Sequence, residues 1–399
     1  MRILFISTSS GSRGGGEIFL LYLGQGLKQH GHDIALWTSS HESMDELCDK
    51  FKEIGGNVLR SDYVNTYRRK LRLISTNRNT HQFNLIKKQW LEWKPDLLHL
   101  NKQNLEDGLD LLNLVCSLSI PSVCLIHITQ AAQYLGAKFG WLRDRLARLS
   151  LKRYQGTFLT VSNSRSQSLL FFLRQQSSRV HAHQPSVKVI NNGVPQPNIQ
   201  ELKAFRQIYR EKLNLEKQEK LFVTVGRLVD QKRPFYFLES ARSILQNLPT
   251  ARFIWVGDGS LRHSWEQYIA QDRLLEHKVQ CLGWQDDVIP WLAAADLYLH
   301  TAQYEGLPFS VLEALSVGLP CLITEDLLTE ILEFQAPGIL SLEKSIDDIP
   351  QLFEPENFKY LQKNASDLFL EEFSLPIMIK RYEDLYHSCL LLNIKSELP

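Results

Sequence analysis

Short, continuously apolar runs alternate along this chain with stretches in which apolar residues recur at helical spacing. Residues 3–6 are apolar throughout, residues 18–27 place leucine and isoleucine on one helical face, and residues 34–37 are apolar again. Continuous apolar runs of this length are typical of strands buried in a parallel sheet, and the longer pattern is typical of an amphipathic helix. The order strand, helix, strand therefore predicts a βαβ unit.

The same alternation continues to the end of the chain. Further strands are predicted at 97–100, 122–126, 158–162, 187–190, 221–225, 252–256, 279–282, 295–300 and 321–324. Repeated strand–helix units predict an α/β protein with doubly wound, Rossmann-like parallel sheets. Because 399 residues exceed one typical core, we expect two such domains. The predicted limits are 1–194 and 195–375, with a last helix at about 376–399.

The most informative stretch is the turn from the strand at 295–300 into the helix that follows it. It runs Tyr304-Glu305-Gly306-Leu307-Pro308-Phe309, and Glu313 lies further along that helix. Ligands of open α/β sheets bind where strands end and helices begin. Glu305 and Glu313 accept hydrogen bonds, which suits sugar hydroxyls. The alternative is that Ser310 and Glu313 form a capping box that only closes the helix end.

Two cations follow the strand at 221–225. Arg227 offers a planar fork and Lys232 a mobile point charge, and both suit a phosphate group. The alternative is that they are exposed surface charges. Asp286 and Asp287 are adjacent and precede a helix, which favours capping. Since no Asp-x-Asp lies at a strand end, we predict metal-independent chemistry, with neither a metal site nor a cofactor.

Two features of the first half admit both a structural and a functional interpretation. The loop Gly14-Gly15-Gly16-Glu17 departs from G-x-G-x-x-G, and no acid ends the strand at 34–37, which argues against a dinucleotide-dependent hydride transfer. The loop is then either a tight turn or a binding turn. His127 comes at the end of the strand at 122–126, where it is either a structural histidine or a ligand-binding one.

Glu305 and Glu313, with seven residues between them, resemble the paired-glutamate signature of retaining GT-B glycosyltransferases, in particular glycosyltransferase family four. The loop at 14–17, the turn Asn192-Gly193-Val194 and the segment 226–232 also resemble motifs of that family, in the same order. The chain departs from the family pattern at three places: Asn191 replaces a proline, Arg233 replaces a glycine, and residues 326–328 replace a glycine pair.

The resemblance implies two domains facing each other across a cleft, with the last helix crossing back onto the first. It implies a nucleotide-sugar donor, with a UDP-linked hexose or N-acetylhexosamine expected, and a glycan or lipid-linked saccharide as acceptor. The implied catalytic residues are Glu305, His127, Arg227 and Lys232. The implied donor-binding residues are Gly15, Gly16, Arg227, Lys232, Gly257, Trp284, Glu305, Gly306, Leu307, Pro308, Phe309 and Glu313.

The family also implies retention of the anomeric configuration. The acceptor would attack on the face that the diphosphate leaves, and a nucleophilic Glu305 is the rival mechanism. Two other functions stay open at this point. One is a GT-B sugar-nucleotide epimerase or hydrolase, and the other is an inactive GT-B scaffold that binds glycans. The pathway expected for the transferase is polysaccharide, lipopolysaccharide or capsule biosynthesis.

Charge is distributed unevenly between the two halves. Residues 1–193 hold 25 Lys+Arg against 14 Asp+Glu, and residues 194–399 hold 20 against 30, so the halves carry +11 and −10. This asymmetry predicts an anionic partner for the first half. A dense basic group lies at Arg68, Arg69, Lys70 and Arg72.

A basic amphipathic helix is predicted at 138–154. There Arg145, Arg148 and Lys152 form one stripe, Leu142, Leu146 and Leu149 form the next, and Trp141 lies near the border. We expect an anionic membrane surface as the partner; an anionic glycan and a half-buried helix are the alternatives, and nucleic acid is not expected. The six cysteines form no Cys-x-x-Cys pair. A cytoplasmic enzyme is expected, peripheral on the inner face of the membrane if the helix binds lipid.

Overall fold

The computed structural model describes residues 1–69, 80–174, 186–331 and 336–397. The chain forms two compact units, Met1–Asn192 with Leu375–Pro399, and Gly193–Ser374. The change from the first unit to the second falls two residues before the predicted limit of the first domain. Lys70 and Arg72 of the predicted basic group lie outside the described residues.

The first unit is built on a seven-stranded parallel sheet with strand order β3-β2-β1-β4-β5-β6-β7. Its strands are β1 (Arg2–Ser7), β2 (Asp33–Ser39), β3 (Asn57–Ser61), β4 (Leu97–Asn104), β5 (Ser122–Ile128), β6 (Thr157–Thr160) and β7 (Val187–Val189). The apolar residues of β1, β2, β4 and β5 are fully buried except Ile128 at the end of β5, as expected of strands covered on both faces. The prediction of a parallel α/β sheet is confirmed.

In the described residues, these strands are connected by the helices α1 (Gly15–Gln29), α2 (Asp45–Glu53), α3 (Thr80–Trp93), α4 (Leu109–Cys116), α5 (Gly140–Leu151) and α6 (Asn163–Arg174). Helix α1 begins at Gly15, so Gly15 and Gly16 lie in its first turn and not in a loop. The sequence from residue 60 to 94 is basic and predicts helical structure, but this prediction was wrong at its start, because Arg60 and Ser61 end β3.

The second unit contains a six-stranded parallel sheet with strand order β10-β9-β8-β11-β12-β13. Its strands are β8 (Lys220–Val225), β9 (Ala251–Val256), β10 (Val279–Gly283), β11 (Leu297–His300), β12 (Cys321–Ile323) and β13 (Ile339–Ser341). Its helices are α7 (Ile199–Lys212), α8 (Pro234–Asn247), α9 (Arg262–Ala270), α10 (Ile289–Ala294), α11 (Phe309–Ser316), α12 (Glu325–Ile331), α13 (Leu342–Ser345), α14 (Ile349–Leu352) and α15 (Pro355–Leu368). A doubly wound sheet is thus present in each unit, as predicted.

Both sheets reverse their winding at one position. In the first unit the reversal lies between β1 and β4, and in the second between β8 and β11. At such a position the loops after the two central strands run to opposite faces, which opens a crevice at their carboxyl ends. The fold therefore selects the loops after β1, β4, β8 and β11 as the places to look for a site.

The last helix, α16 (Leu375–Glu397), packs on α1 of the first unit. Tyr382 lies 5.7 Å from Phe19 between ring centroids, and Glu383 accepts hydrogen bonds from His30 and His32.

Among the described residues, no helix has both the length and the apolar character needed to cross a membrane.

Gly26 permits the close approach of α16 to α1. A Cβ atom at this position would lie 2.4 Å from Cδ1 of Ile379, well inside van der Waals contact. We expect Gly26→Ala to lower the free energy of unfolding by about 1–3 kcal/mol through this overlap, although alanine in an open helix would add about 1 kcal/mol. In an Ile379→Ala background the same change should become neutral or stabilising. Urea unfolding of the four variants measures this reversal of sign, and equal effects in both backgrounds would contradict the contact.

Candidate functional site

The charged residues of the second unit meet at the carboxyl ends of β8 and β11. Lys232 lies in a single helical turn before α8, and its Nζ atom donates a hydrogen bond to the carboxylate of Glu305, in the loop after β11. The side chains are only 15% and 14% exposed. The hydroxyl of Thr301 donates to the backbone carbonyl of Lys232 at 3.0 Å. Lys232 is therefore not an exposed surface charge, which removes that alternative for this residue.

Arg227 follows β8 directly and is exposed. Burial, together with the negative charge of Glu305, raises the pKa of Tyr304, whereas Arg227 acts in the opposite direction. Arg227 therefore lies close enough to this loop to act on it electrostatically. Within the described part of the chain no carboxylate forms an ion pair with Arg227. The loops after β8 and β11 thus combine one paired cation with one exposed cation.

The capping-box interpretation of Ser310 and Glu313 was wrong. Helix α11 has Pro308 at its N-cap without a side-chain cap, so Ser310 lies inside the first turn. Ser310 lies near Tyr298 of β11, since burial raises the pKa of Tyr298 whereas Ser310 acts in the opposite direction. Glu313 is buried and has an interaction partner in the structure, as do Leu307 and Phe309. With capping excluded, a carboxylate buried beside the β11 loop is left for another role.

Tyr298 and His300 form a buried pair beneath this loop. The Tyr298 hydroxyl lies 3.2 Å from Nδ1 of His300, and the rings stack with centroids 5.8 Å apart. Burial and, after it, the charge of Lys232 hold the pKa of His300 well below its usual value. The imidazole is therefore neutral, and it adds no positive charge to the site.

Glycines bring the ends of β8, β9 and β10 into contact. Gly257 has φ 141°, and a Cβ atom there would lie 2.0 Å from the carbonyl oxygen of Gly226. A side chain at this position would need a different backbone path. Trp284, after β10, is 44% exposed, and its indole N–H donates to Asp286 at 3.1 Å. The ends of these strands thus lie close together, beside the exposed ring of Trp284.

Asp286 and Asp287 make different contacts. Asp287 accepts the backbone N–H of Ile289, the first residue of α10, at 3.0 Å, so it satisfies a helix end as the capping interpretation expected. Asp286 holds Trp284 instead. In the described part of the chain, no group of three or more His, Cys, Asp and Glu is arranged to hold a metal ion.

In the first unit, a second polar group surrounds the start of α1. Gln103, from the end of β4, lies against Gly16, where a Cβ atom would be 2.1 Å from its Nε2 atom. That nitrogen donates to the Ser9 hydroxyl at 2.8 Å and to the Glu17 carboxylate at 3.2 Å. Gly16 is buried and Gly15 is exposed. The segment Gly14-Gly15-Gly16-Glu17 is therefore more than a simple tight turn, because Gln103, at the end of the neighbouring strand β4, donates a hydrogen bond to Glu17.

His127 is joined to the same group through Asn101. Nε2 of His127 lies 2.8 Å from Oδ1 of Asn101, and Nδ2 of Asn101 donates to the carbonyl of Gly16 at 3.2 Å. Burial lowers the pKa of His127 to about 4. The structure thus brings two of the predicted residues of this unit, Gly16 and His127, into one hydrogen-bonded network.

Three residues of these networks were missed by sequence reasoning: Asn101, Gln103 and His300. A signal existed, because each is a polar residue at the carboxyl end of an otherwise apolar strand. A single sequence does not say which of such residues face a ligand, since alternation alone leaves both faces of the sheet equivalent.

The basic stripe predicted on α5 was partly wrong. Arg148 is buried, where its Nε donates to the Phe172 carbonyl at 2.7 Å and its guanidinium lies 4.6 Å from the Phe172 ring centroid. Arg145, on the next turn towards the N-terminus, is exposed. The predicted apolar stripe is also divided, because Leu142 and Leu146 are half-buried whereas Leu149 is exposed. The solvent face of α5 therefore differs from the one that spacing indicated.

The exposed residues of α5 and the preceding loop form one surface, which we call the aromatic–basic surface. Its members are Tyr134, Lys138, Phe139, Trp141, Arg145 and Leu149. Phe139 and Trp141 are 70% and 59% exposed. Arg68 and Arg69 do not add to a free basic group, since Arg69 pairs with the buried Asp110 and Arg68 contacts His41 at 2.6 Å.

Two doubly wound units with polar groups at their strand ends define the GT-B class of α/β proteins. Family models agree: the model described as Glycosyltransferase Family 4 matches residues 13–195, and that described as Glycosyl transferases group 1 matches residues 205–351. The chain belongs to the family-four, group-1 glycosyltransferases. Both the recognised family and the predicted fold class are confirmed.

Individual relatives are more distant. A UDP-Gal:α-D-GlcNAc-diphosphoundecaprenol α-1,3-galactosyltransferase of Escherichia coli is 28% identical over 207 residues, 50% of this chain and 54% of the relative. An uncharacterized glycosyltransferase of Methanocaldococcus jannaschii is 24% identical over 94% of both chains. The chain thus spans about half the length of the first of these relatives. The crystal structure of Anabaena HepE with UDP-glucose superposes with a TM-score of 0.73, at 18% identity, over 97% of this chain and 100% of the other.

Proposed function

We propose that this protein is a retaining glycosyltransferase that moves a hexose or N-acetylhexosamine from a UDP-sugar to a glycan or lipid-linked saccharide. The observation that carries the proposal is the Lys232–Glu305 pair beside Arg227, at the reversal point of the second sheet. The galactosyltransferase relative, whose name specifies UDP-galactose and a lipid-linked acceptor, supports the donor and acceptor classes. The HepE complex supports UDP.

The proposed roles follow from charge. A nucleoside diphosphate gains negative charge as it leaves, and cations that are already in place stabilise it most. Arg227 and Lys232 bind the diphosphate, and Lys232 then exchanges part of its contact with Glu305 for phosphate oxygens. Glu305 is thereby available to accept a hydroxyl of the transferred sugar. Glu313 binds the ribose diol, Gly257 and the turn 306–309 line the donor, and Trp284 flanks the base.

In the proposed reaction the acceptor oxygen bonds to the anomeric carbon on the face from which the diphosphate leaves. The carbon–phosphate-oxygen bond breaks, and the acceptor's proton passes to a diphosphate oxygen. The anomeric configuration is retained without a protein nucleophile. In this proposal Glu305 binds a hydroxyl and does not attack the anomeric carbon.

A screen of nucleotide sugars by thermal stabilisation tests the function as a whole. A ligand present at about 100 times its dissociation constant adds about 2.7 kcal/mol to the free energy of unfolding. The donor that stabilises the protein is then offered with glycan and lipid-linked acceptors, and product analysis separates transfer from epimerisation or hydrolysis. Stabilisation by UDP-sugars with no transfer to any acceptor would favour the inactive scaffold.

Arg227→Ala and Lys232→Ala should weaken UDP binding. Each change removes a charge-assisted hydrogen bond worth about 1.5–3 kcal/mol, which corresponds to a dissociation constant about 10- to 150-fold higher. Calorimetric titration of UDP into each folded variant measures the effect. Lys217→Ala removes the same charge from an exposed position of this unit and serves as the matched control. Unchanged UDP affinity in Arg227→Ala would remove this arginine from the site.

Transfer should need no divalent metal, because side-chain cations supply the positive charge that a metal would otherwise bring to the leaving group. We expect the initial rate to be unaffected by excess chelator and by added Mg²⁺ or Mn²⁺. Complete loss of transfer with chelator, reversed by either ion, would refute metal independence and leave the donor assignment standing.

We propose in addition that the aromatic–basic surface binds an anionic membrane. It combines exposed aromatic rings with Lys138 and Arg145, the composition of an interfacial surface. The first half of the chain carries the net positive charge. A lipid-linked acceptor would be presented at such a surface. Arg148 is buried and takes no part, so the sedimentation test leaves it unchanged.

Vesicle sedimentation should show binding to anionic but not to neutral phosphatidylcholine vesicles, and binding should weaken as salt is raised. Each basic residue near the leaflet is worth about 1 kcal/mol. The variant Trp141→Ser/Arg145→Ser/Leu149→Ser should lose most binding, whereas Ile199→Ser, an equally exposed apolar residue on α7, should not. Equal sedimentation with both vesicle types, or with neither, would exclude the membrane as partner.

A further inference from the structure

The histidine of the first unit has its orientation set by a residue of the neighbouring strand. Asn101 of β4 is paired in register with Leu125 of β5, two residues before His127. Because side chains alternate along a strand, Asn101 and His127 project from the same face of the sheet. Their contact, Nε2 to Oδ1 at 2.8 Å, is therefore a direct product of the strand register.

The orientation of the Asn101 amide follows from its second contact. Its other end lies 3.2 Å from the backbone carbonyl of Gly16. A carbonyl oxygen can only accept, so the amide nitrogen must face Gly16 and the amide oxygen must face His127. That oxygen also only accepts. Consequently Nε2 of His127 carries a hydrogen and donates it to Asn101.

The other ring nitrogen is then an acceptor. Burial, with a pKa of about 4, keeps the imidazole neutral near pH 7, so Nδ1 bears a lone pair and no hydrogen. The edge-to-face contact with Phe19, at 5.3 Å between centroids, holds the ring plane. The neighbouring titratable groups on this face are His99, whose pKa burial lowers to about 3, and Glu17, which Gln103 holds.

We propose that Asn101 is a positioning residue that fixes His127 as a hydrogen-bond acceptor, at Nδ1, for a sugar hydroxyl. This inference rests on the proposed function, because it names what the site recognises. A lone pair accepts from an O–H group and repels a phosphate oxygen. His127 therefore selects a sugar hydroxyl and does not serve as a proton donor or as a phosphate ligand. The hydroxyl belongs either to the transferred sugar or to the acceptor saccharide.

Histidine-selective ¹⁵N NMR of the whole protein tests the tautomer without any substrate. The resonance that disappears in His127→Gln identifies the ring. We expect a protonated Nε2 and an unprotonated Nδ1 in the unchanged protein, and a mixture of tautomers in Asn101→Ala. Asn104→Ala is the matched control, since Asn104 lies on the same strand and accepts hydrogen bonds from the backbone N–H groups of Glu106 and Asp107. A protonated Nδ1 in the unchanged protein would overturn the inference.

Kinetics then test the consequence. Asn101→Ala should lower kcat/KM of transfer about tenfold, the equivalent of one hydrogen bond, while UDP affinity stays the same. In a series of monodeoxy donors and acceptors, one analogue lacks the hydroxyl that His127 binds, and the unchanged enzyme should lose activity with it. In Asn101→Ala this hydrogen bond is already impaired, so the same analogue should cause little further loss. Whether the analogue is a donor or an acceptor identifies the source of the hydroxyl.

A second substitution, Asn101→Asp, keeps the inference testable if Asn101→Ala does not fold. Asn101→Asp keeps the shape but places an anion beside the ring, which raises the pKa of His127. Since imidazolium donates from both nitrogens, transfer by Asn101→Asp should fall as pH is lowered towards the new pKa, in a range where the unchanged enzyme is constant. Identical pH profiles together with unchanged kcat/KM in both variants would refute the positioning role. No transfer by the unchanged enzyme from any nucleotide sugar would instead refute the proposed function.

Discussion

The pairing of β8 with β11 is the constraint on which the charged site of the second unit depends. The two strands are parallel, with Phe222 opposite Leu297, and Asp296 secures the start of β11. Its carboxylate accepts from the backbone N–H of Leu221 at 2.8 Å and pairs with Arg206 and Arg210 of α7. Because parallel strands end at the same edge, fixing their starts also fixes where the two loops emerge.

The positions of the charged residues in this site depend on that edge of the sheet. Lys232 and Glu305 are 73 residues apart in sequence, yet they form one partly buried ion pair. Either charged side chain would destabilise the protein without the other, because a largely buried charge without a partner is costly. An anionic ligand that pairs with Lys232 can therefore replace Glu305 without leaving the lysine unsatisfied, whereas a neutral ligand cannot. The proposed binding of a phosphate by Lys232 and of a hydroxyl by Glu305 is consistent with this exchange.

Burial gives the first unit a different chemistry. Its polar network contains the neutral His127, the amides of Asn101 and Gln103, and the start of α1. Neutral donors and acceptors in a dry environment discriminate hydroxyl groups by direction and not by charge. The polar groups of the two units thus differ: an ion pair lies at the strand ends of the second, and amides with a neutral histidine lie at those of the first.

The sequence by itself determined the strands that are buried on both faces, because a continuous apolar run has no other stable place in a soluble α/β protein. β1, β4, β5, β8 and β9 follow the runs predicted for them. The edge strands β3 and β13 escaped prediction. β3 is half-buried and contains Arg60, and β13 has three residues, so neither shows the pattern of a covered strand.

The motifs around Arg227, Lys232 and Glu305 were also visible in the sequence, since these segments resemble motifs of glycosyltransferase family four and occur in the same order. What only the tertiary structure decided was which side chains those loops and strand ends meet. Strand register joined Asn101 to His127, and helix packing turned Arg148 inward and left Trp141 outside. Periodicity gives the spacing of residues around a helix or along a strand. The direction of each face depends on neighbours that are distant in the chain, and these come together only on folding.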